Sequence, residues 1–204
     1  MNDPTVFLVE DDASVRDSLG LLLSLKGLRT QIFASAEHFL ATYDCESRGC
    51  LLTDLRLGGM SGLELQGVLR ERGIKLPVVV ITAHGDVATT RTALQAGALD
   101  FLEKPLDDEV LIEVLRNAIQ VDQQRHDTVA TKTTTIARLE RLTPRERQVF
   151  DFLAEGMQNR DIAAHLEISP RTVEVYKARI MEKLQCRNIA DAVKLSLAVA
   201  SGNS

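Results

Sequence analysis

Five short apolar runs alternate with amphipathic stretches over the first three-fifths of the chain, and this alternation restricts the fold more than any other feature. The runs are TVFLV (5–9), RTQIF (29–33), CLLTD (50–54), PVVVIT (77–82) and LDFLE (99–103). Between them, apolar residues recur every three or four positions, the period of a helix with one buried face. In VRDSLGLLLSLKG, Val15, Leu19, Leu22 and Leu23 share a face and Gly27 stops the helix. Ser35 caps SAEHFLATY. Ser61 caps SGLELQGVLRERG, which Gly73 closes. VATTRTALQAG (87–97) reads as a further helix. DDEVLIEVLRNAIQ (107–120) carries acids in its first turn and places Val110, Leu111, Val114, Leu115 and Ala118 inward.

Strands that alternate with helices form a parallel sheet covered on both faces. The strand runs are almost wholly apolar, as such a sheet requires. Residues 1–122 are therefore expected to fold as an α/β doubly wound domain with a five-stranded parallel sheet. Residues 123–141 lack a strong core pattern and include the threonine-rich HDTVATKTTT. They read as a linker, or as a frayed extension of the preceding helix.

Residues 142–204 read as an all-α domain of four helices. TPRE is a capping box, with Thr143 as cap, Pro144 first in the helix and Glu146 third. Val149, Phe150 and Leu153 face inward in that helix, and Ile162, Ala163 and Leu166 in the next. A third begins at Ser169–Pro170, and a fourth covers about 188–200. Charge divides along the same line. The whole chain is at -5, but residues 1–122 sum to -8 and residues 123–204 to +3. The basic part is the candidate for a polyanionic partner. No basic-then-apolar leader and no membrane-spanning run is read, and the three cysteines are scattered without metal-binding spacing. The expectation is a cytoplasmic protein with no membrane partner.

Ligands of open parallel sheets bind at the carboxyl ends of the strands. There the sequence puts Glu10, Asp11 and Asp12, then Asp54, Thr82 and Lys104. Clustered carboxylates repel unless a cation lies among them, and an all-oxygen donor set suits Mg²⁺. A carboxylate with Mg²⁺, an amine and a hydroxyl around it can accept a phosphoryl group. A lone Asp after a strand is ordinarily a turn or cap residue, so the argument rests on the other groups in register.

LVEDD, TDLRLGGMSG, VITAHGD and DFLEKP resemble the receiver domains of two-component response regulators. The resemblance implies a flavodoxin-like sheet of order 2-1-3-4-5 with Asp54 as phosphoacceptor. Arg16 sets the register, so Glu10 and Asp11 are the family's acidic pair and Asp12 is an extra acid. Asp11, Asp54 and the Arg56 backbone carbonyl would bind Mg²⁺, and Glu10 would act through water. Thr82 and Lys104 would bind phosphoryl oxygens, and Phe101 would be the buried aromatic coupled to Thr82. Lys104–Pro105 would be a cis bond. One departure is Gly58, followed by Gly59, where the family usually has proline. It predicts a looser loop and an altered phosphoryl lifetime.

In the tail, the turn LEIS joins two helices at helix-turn-helix spacing. Val173, Tyr176, Ile180 and Leu184 form an inward stripe, leaving a small polar face suited to a major groove. Arg160, Lys177, Lys183 and Arg187 could reach phosphates. LTPRE, IA..L.IS..TVE and I..KL resemble the LuxR-type helix-turn-helix that ends FixJ/NarL-class regulators, the FixJ-like ones being most similar. The resemblance implies a recognition helix at about 170–184. Glu174, Val175, Ala178 and Arg179 are its base-reading candidates, with Arg171 and Thr172 as further DNA contacts. Glu174 could instead pair with Arg171 or Lys177 along the helix. Gln158, where a better-capping Ser is common, predicts that the second tail helix starts at Asn159.

Together these imply a DNA-binding transcriptional regulator, not an enzyme. A sensor histidine kinase would phosphorylate Asp54, receivers would pair as a homodimer, and the tails would bind promoter DNA. Two other classes fit parts of the sequence. One is a Mg²⁺-dependent phosphatase with a strand-end Asp nucleophile, and the other a constitutive DNA-binding protein with a degenerate receiver.

Overall fold

The computed structural model describes residues 3–83, 91 and 94–200. The chain forms two compact units, Met1–His126 and Asp127–Ser204. In the first, strands β1 (Thr5–Val9), β2 (Thr30–Phe33), β3 (Gly49–Asp54), β4 (Val78–Thr82) and β5 (Asp100–Glu103) make one parallel sheet of order β2-β1-β3-β4-β5. Helices α1 (Ala13–Leu25), α2 (Ala36–Thr42), α3 (Gly62–Glu71) and α4 (Asp108–Glu140) flank it. The expected helix over 87–97 falls mostly outside the described residues.

The pleat sorts side chains to two cores. Val6, Leu8, Cys50, Leu52, Val79 and Ile81 pack on Leu19 and Leu23 of α1 and on Leu111, Ile112, Leu115 and Ala118 of α4. Phe7, Val9, Leu51, Val78 and Val80 face the other way, onto Phe39 of α2 and Leu65 and Leu69 of α3. Consecutive residues of β1, β3 and β4 are thus all buried, which is why these strands read as continuous apolar runs. Leu23, Leu111 and Leu115 are fully buried, and each such burial stabilises by about 2 kcal/mol.

Val110 departs from its expected inward position and is 46% exposed. The buried stripe is Leu111, Leu115 and Ala118, and Val110 lies a rotation of about 100° from Leu111. The side chain of Asp107 accepts the backbone N–H groups of Glu109 and Val110 and so caps α4.

The segment read as a linker is helical, since α4 continues to Glu140. Its threonines fit because their hydroxyls donate one turn back, Thr133 to the Val129 carbonyl and Thr135 to the Thr131 carbonyl. Leu139, inside that segment, and Leu142 join the core of the second unit.

That unit also contains α5 (Pro144–Ala154), α6 (Asn159–Leu166), α7 (Pro170–Leu184) and α8 (Ile189–Ala200). Val149, Phe150, Ile162, Ala163, Val173, Ile180 and Leu184 form its core. Thr143 and Glu146 make the expected capping box, and α6 starts at Asn159 with no side-chain cap from Gln158. No helix among the described residues is long and apolar enough to cross a membrane.

Candidate functional site

In the order β2-β1-β3-β4-β5 the connections reverse direction between β1 and β3, which opens a crevice at the carboxyl ends of those strands. Glu10 follows β1 and Asp54 ends β3. Strand parity then decides what meets. Glu10, Asp54 and Lys104 continue the alternation that sends Leu8, Leu52 and Leu102 to the α1–α4 side. Lys104 accordingly donates to Asp54 Oδ2 at 2.5 Å and to Glu10 Oε2 at 2.9 Å. The Asp54 side chain is 10% exposed and that of Glu10 is 2% exposed, so an ammonium joins two largely dehydrated carboxylates.

The electrostatics follow from this burial. Burial pushes the Glu10 carboxyl above its ordinary value, and the bond and charge of Lys104 offset it only in part. Burial pulls the Lys104 ammonium down, but its bonds to Asp54 and Glu10 outweigh that and hold it above its ordinary value. Asp54 caps no helix, because Ser61 caps α3 with Glu64 completing the box. The second oxygen of Asp54, Oδ1, accepts the Arg56 backbone N–H at 2.8 Å.

The neighbouring acids separate in role. Asp12 accepts the N–H groups of Ser14 and Val15, which hold its carboxyl below the ordinary value, and so serves as the cap of α1. Asp11 stays exposed, and a Cβ on Gly58 would stand 3.4 Å from its Oδ2. Arg16, used in the sequence only to mark register, donates to the Glu10 and Asp11 carbonyls at 2.9 and 3.0 Å and staples the turn. Glu10, Asp11, Asp54 and the Arg56 carbonyl offer only oxygen donors, and Glu10 and Asp54 gather around the Lys104 ammonium, although among the described residues no three acidic side chains come together as a metal-holding group. That chemistry fits Mg²⁺.

Thr82 belongs to the opposite parity, with Val80, and is 1% exposed. Its carbonyl accepts the Lys104 backbone N–H at 2.7 Å, tying the two residues together through the main chain. Phe101 pairs in register with Val80 and packs on the α2–α3 core, but is only partly buried. The expectation of a buried aromatic is corrected here, because β5 is the edge strand of the sheet. The Lys104–Pro105 peptide is cis.

Glu37 was not identified from the sequence. This residue of α2 accepts the Met60 N–H at 2.8 Å and so reaches the double-glycine loop from the side. That bond holds the Glu37 carboxyl below its ordinary value.

In the second unit, Ser169 caps α7, and its hydroxyl lies 2.8 Å from that of Thr172. Arg171, Glu174, Val175, Ala178 and Arg179 of α7 are exposed, as is Arg160 of α6. Val173, Ile180 and Leu184 are buried on the opposite side. Glu174 accepts from the Asn159 amide and lies 3.6 Å from Lys177 Nζ. Lys177 also donates to Asn159 Oδ1, so these three join the start of α6 to α7. Lys183 differs from its expected role. Its ammonium donates to Glu146 Oε2 at 2.5 Å and to the Arg141 carbonyl at 3.1 Å, so its long chain turns back onto the capping box.

Comparison with known proteins assigns both units to families. Residues 6–116 match the model of the response regulator receiver domain, and residues 140–196 that of the bacterial regulatory proteins of the luxR family. The transcriptional regulatory protein FixJ of Rhizobium meliloti is 41% identical over 204 residues, spanning the whole of both chains. Nodulation protein W of Bradyrhizobium diazoefficiens is 37% identical over 94% of this chain and 84% of its own length. Among solved structures, the response regulator StyR superposes with a TM-score of 0.83 at 39% identity, covering 95% of this chain and 98% of its own. Full-length FixJ from B. japonicum gives 0.61 at 35% identity, over 98% and 99%.

Proposed function

The chain belongs to the response regulators that join a receiver domain to a LuxR-type DNA-binding domain, as the FixJ regulators do, and from that premise we propose which residues carry its chemistry. It is a transcriptional regulator of a two-component system, switched by phosphorylation. We assign the phosphoacceptor to Asp54. The observation that carries this is the contact of Lys104 Nζ with Asp54 Oδ2 at 2.5 Å, in a crevice shared with Glu10.

A carboxylate oxygen of Asp54 attacks the phosphorus of a phosphohistidine on the sensor kinase. The O–P bond forms as the N–P bond breaks, and the imidazole nitrogen leaves with the bonding pair and takes up a proton. Lys104 neutralises charge at the carboxylate beforehand and follows it to a phosphoryl oxygen afterwards. Thr82 supplies a hydroxyl to another phosphoryl oxygen. Asp11, Asp54 and the Arg56 carbonyl would hold Mg²⁺, with Glu10 through a water, and the ion would spread the negative charge of the transferring oxygens.

Movement of Thr82 toward the phosphoryl group would pull the β4–β5 edge, where Phe101 lies, and change that surface. Phosphorylated receivers then pair as homodimers, and two α7 helices enter successive major grooves of promoter DNA about 34 Å apart. Arg171, Val175, Ala178 and Arg179 face the bases, with Thr172 and Arg160 near phosphates. Glu174 and Lys177 position α7 through Asn159, and Lys183 supports the domain from within. The chain would act in the cytoplasm, where kinase and promoter meet.

A fluoride mimic of the phosphoryl group, added with Mg²⁺, should convert monomer to dimer in sedimentation and tighten promoter binding. Asp54→Asn should abolish both. An equal response from Asp54→Asn would overturn the acceptor assignment.

A further inference from the structure

Glu37 lies in the first turn of α2, and its carboxylate reaches the loop that follows Asp54. Met60 N–H donates to Glu37 Oε1 at 2.8 Å. A Cβ on Gly59 would stand 2.7 Å from the same Oε1 and 3.3 Å from Glu37 Cδ. Gly59 is not among the glycines with positive φ, so its backbone conformation is open to other residues. What glycine supplies at this position is space for the carboxylate. Two observations thus converge: a hydrogen bond to the loop backbone, and a missing side chain that leaves room for it.

The loop is tied at its other points as well. Arg56 N–H donates to Asp54 Oδ1, and Gly62 N–H donates to the Leu55 carbonyl at 3.0 Å. Gly62 packs so closely that a Cβ there would be 2.4 Å from the Asp54 carbonyl oxygen. Without Glu37, the stretch between Arg56 and Ser61 would lose a hydrogen bond that holds it from the side. We propose that Glu37 is a positioning residue for phosphoryl transfer: by clamping Met60 across Gly59 it holds the loop that presents the Asp54 carboxylate and the Arg56 backbone to the incoming group. This rests on Asp54 as the acceptor.

The test uses the full chain, Mg²⁺ and acetyl phosphate as the donor, with initial phosphorylation rates and thermal midpoints measured together. Glu37→Ala should slow phosphorylation about tenfold, as loss of an orienting partner commonly does. Glu37→Gln keeps an acceptor oxygen and should stay near the wild-type rate. Gly59→Ala should match Glu37→Ala by displacing the carboxylate, and the double variant should be no slower than either single one. A merely structural Glu37 would lower the midpoint and leave the rate alone, and that result overturns the proposal. So do a wild-type rate in Glu37→Ala and multiplicative losses in the double variant. Amide exchange at Met60 in the unphosphorylated chain should be slow in wild type and fast in Glu37→Ala; equal exchange also overturns it. If Asp54→Asn is phosphorylated like wild type, the acceptor reading fails and the positioning role with it, while Met60 exchange still reports the clamp separately.

Discussion

Lys183 Nζ lies 2.5 Å from Glu146 Oε2, so the last turn of α7 is bonded to the capping box of α5. Glu146 is 3% exposed and also accepts the Thr143 N–H at 2.7 Å. Burial raises its carboxyl, but Lys183 and Thr143 outweigh that and hold it below the ordinary 4.5. A carboxyl lowered in the folded state adds stability that is present above the unfolded value and is lost as pH falls through the folded one. Unfolding of the second unit, followed by circular dichroism on the full chain, should therefore become easier below about pH 4.5. Glu146→Gln should be less stable at pH 7 and show a flatter acid limb.

Lys183→Met should lower the midpoint of the same transition, because it leaves Glu146 buried without its cation, at a cost of about 2 kcal/mol. The salt dependence of promoter binding should keep its slope. Arg160→Ala should do the reverse, leaving stability intact and reducing the slope by about one unit in a log–log plot of affinity against salt. Fluorescence anisotropy across a salt series separates the two.

Lys104→Met should destabilise the receiver at pH 7 by about 2 kcal/mol, since Glu10 and Asp54 would face each other without the ammonium. Part of this loss should return on acidification, as the Glu10 carboxyl, already raised by burial, takes up a proton. Urea unfolding at two pH values reads this out. The variant should also fail to respond to the fluoride mimic.

Glu167→Gly should stabilise the second unit. Glu167 ends α6 in the left-handed region at φ 53, a conformation that costs a side-chain-bearing residue about 1 kcal/mol and glycine little. The expected result is a rise of a few degrees in its thermal midpoint, with promoter affinity unchanged.

Much of the receiver was legible because its chemistry sits at strand ends. Glu10, Asp54, Thr82 and Lys104 each follow an apolar run, and a parallel sheet gathers such positions on one rim. Their pairing was not legible, since it depends on which side of the pleat each residue continues. Asp12 was set apart from the acidic pair by the register of Arg16 alone, because a string of acids gives one signal whether it binds a cation or caps a helix. Lys183 lay on a wheel position near the outer face, but its flexible chain bends back to a buried carboxylate. Glu37 was hidden for a different reason. Its partner is a backbone N–H 23 residues away, and only the packing of α2 beside the loop brings them together. The threonines near residue 133 argued against helix by propensity, and their hydroxyl bonds to the preceding turn offset that preference.

The shared pleat side of Glu10, Asp54 and Lys104 makes the reactive group depend on counting. Inserting or deleting one residue within β1, β3 or β5 would turn that strand's polar terminus toward the opposite layer and exchange its buried side chains in the same stroke. Such a chain would lose its chemistry and its interior together. Length changes in these strands are therefore admissible only in pairs, whereas the loops at the opposite end of the sheet from Asp54 can lengthen at little cost. A library of insertions scanned along the receiver should show this as an even–odd pattern of survival in the strands and not in the loops at the far end of the sheet.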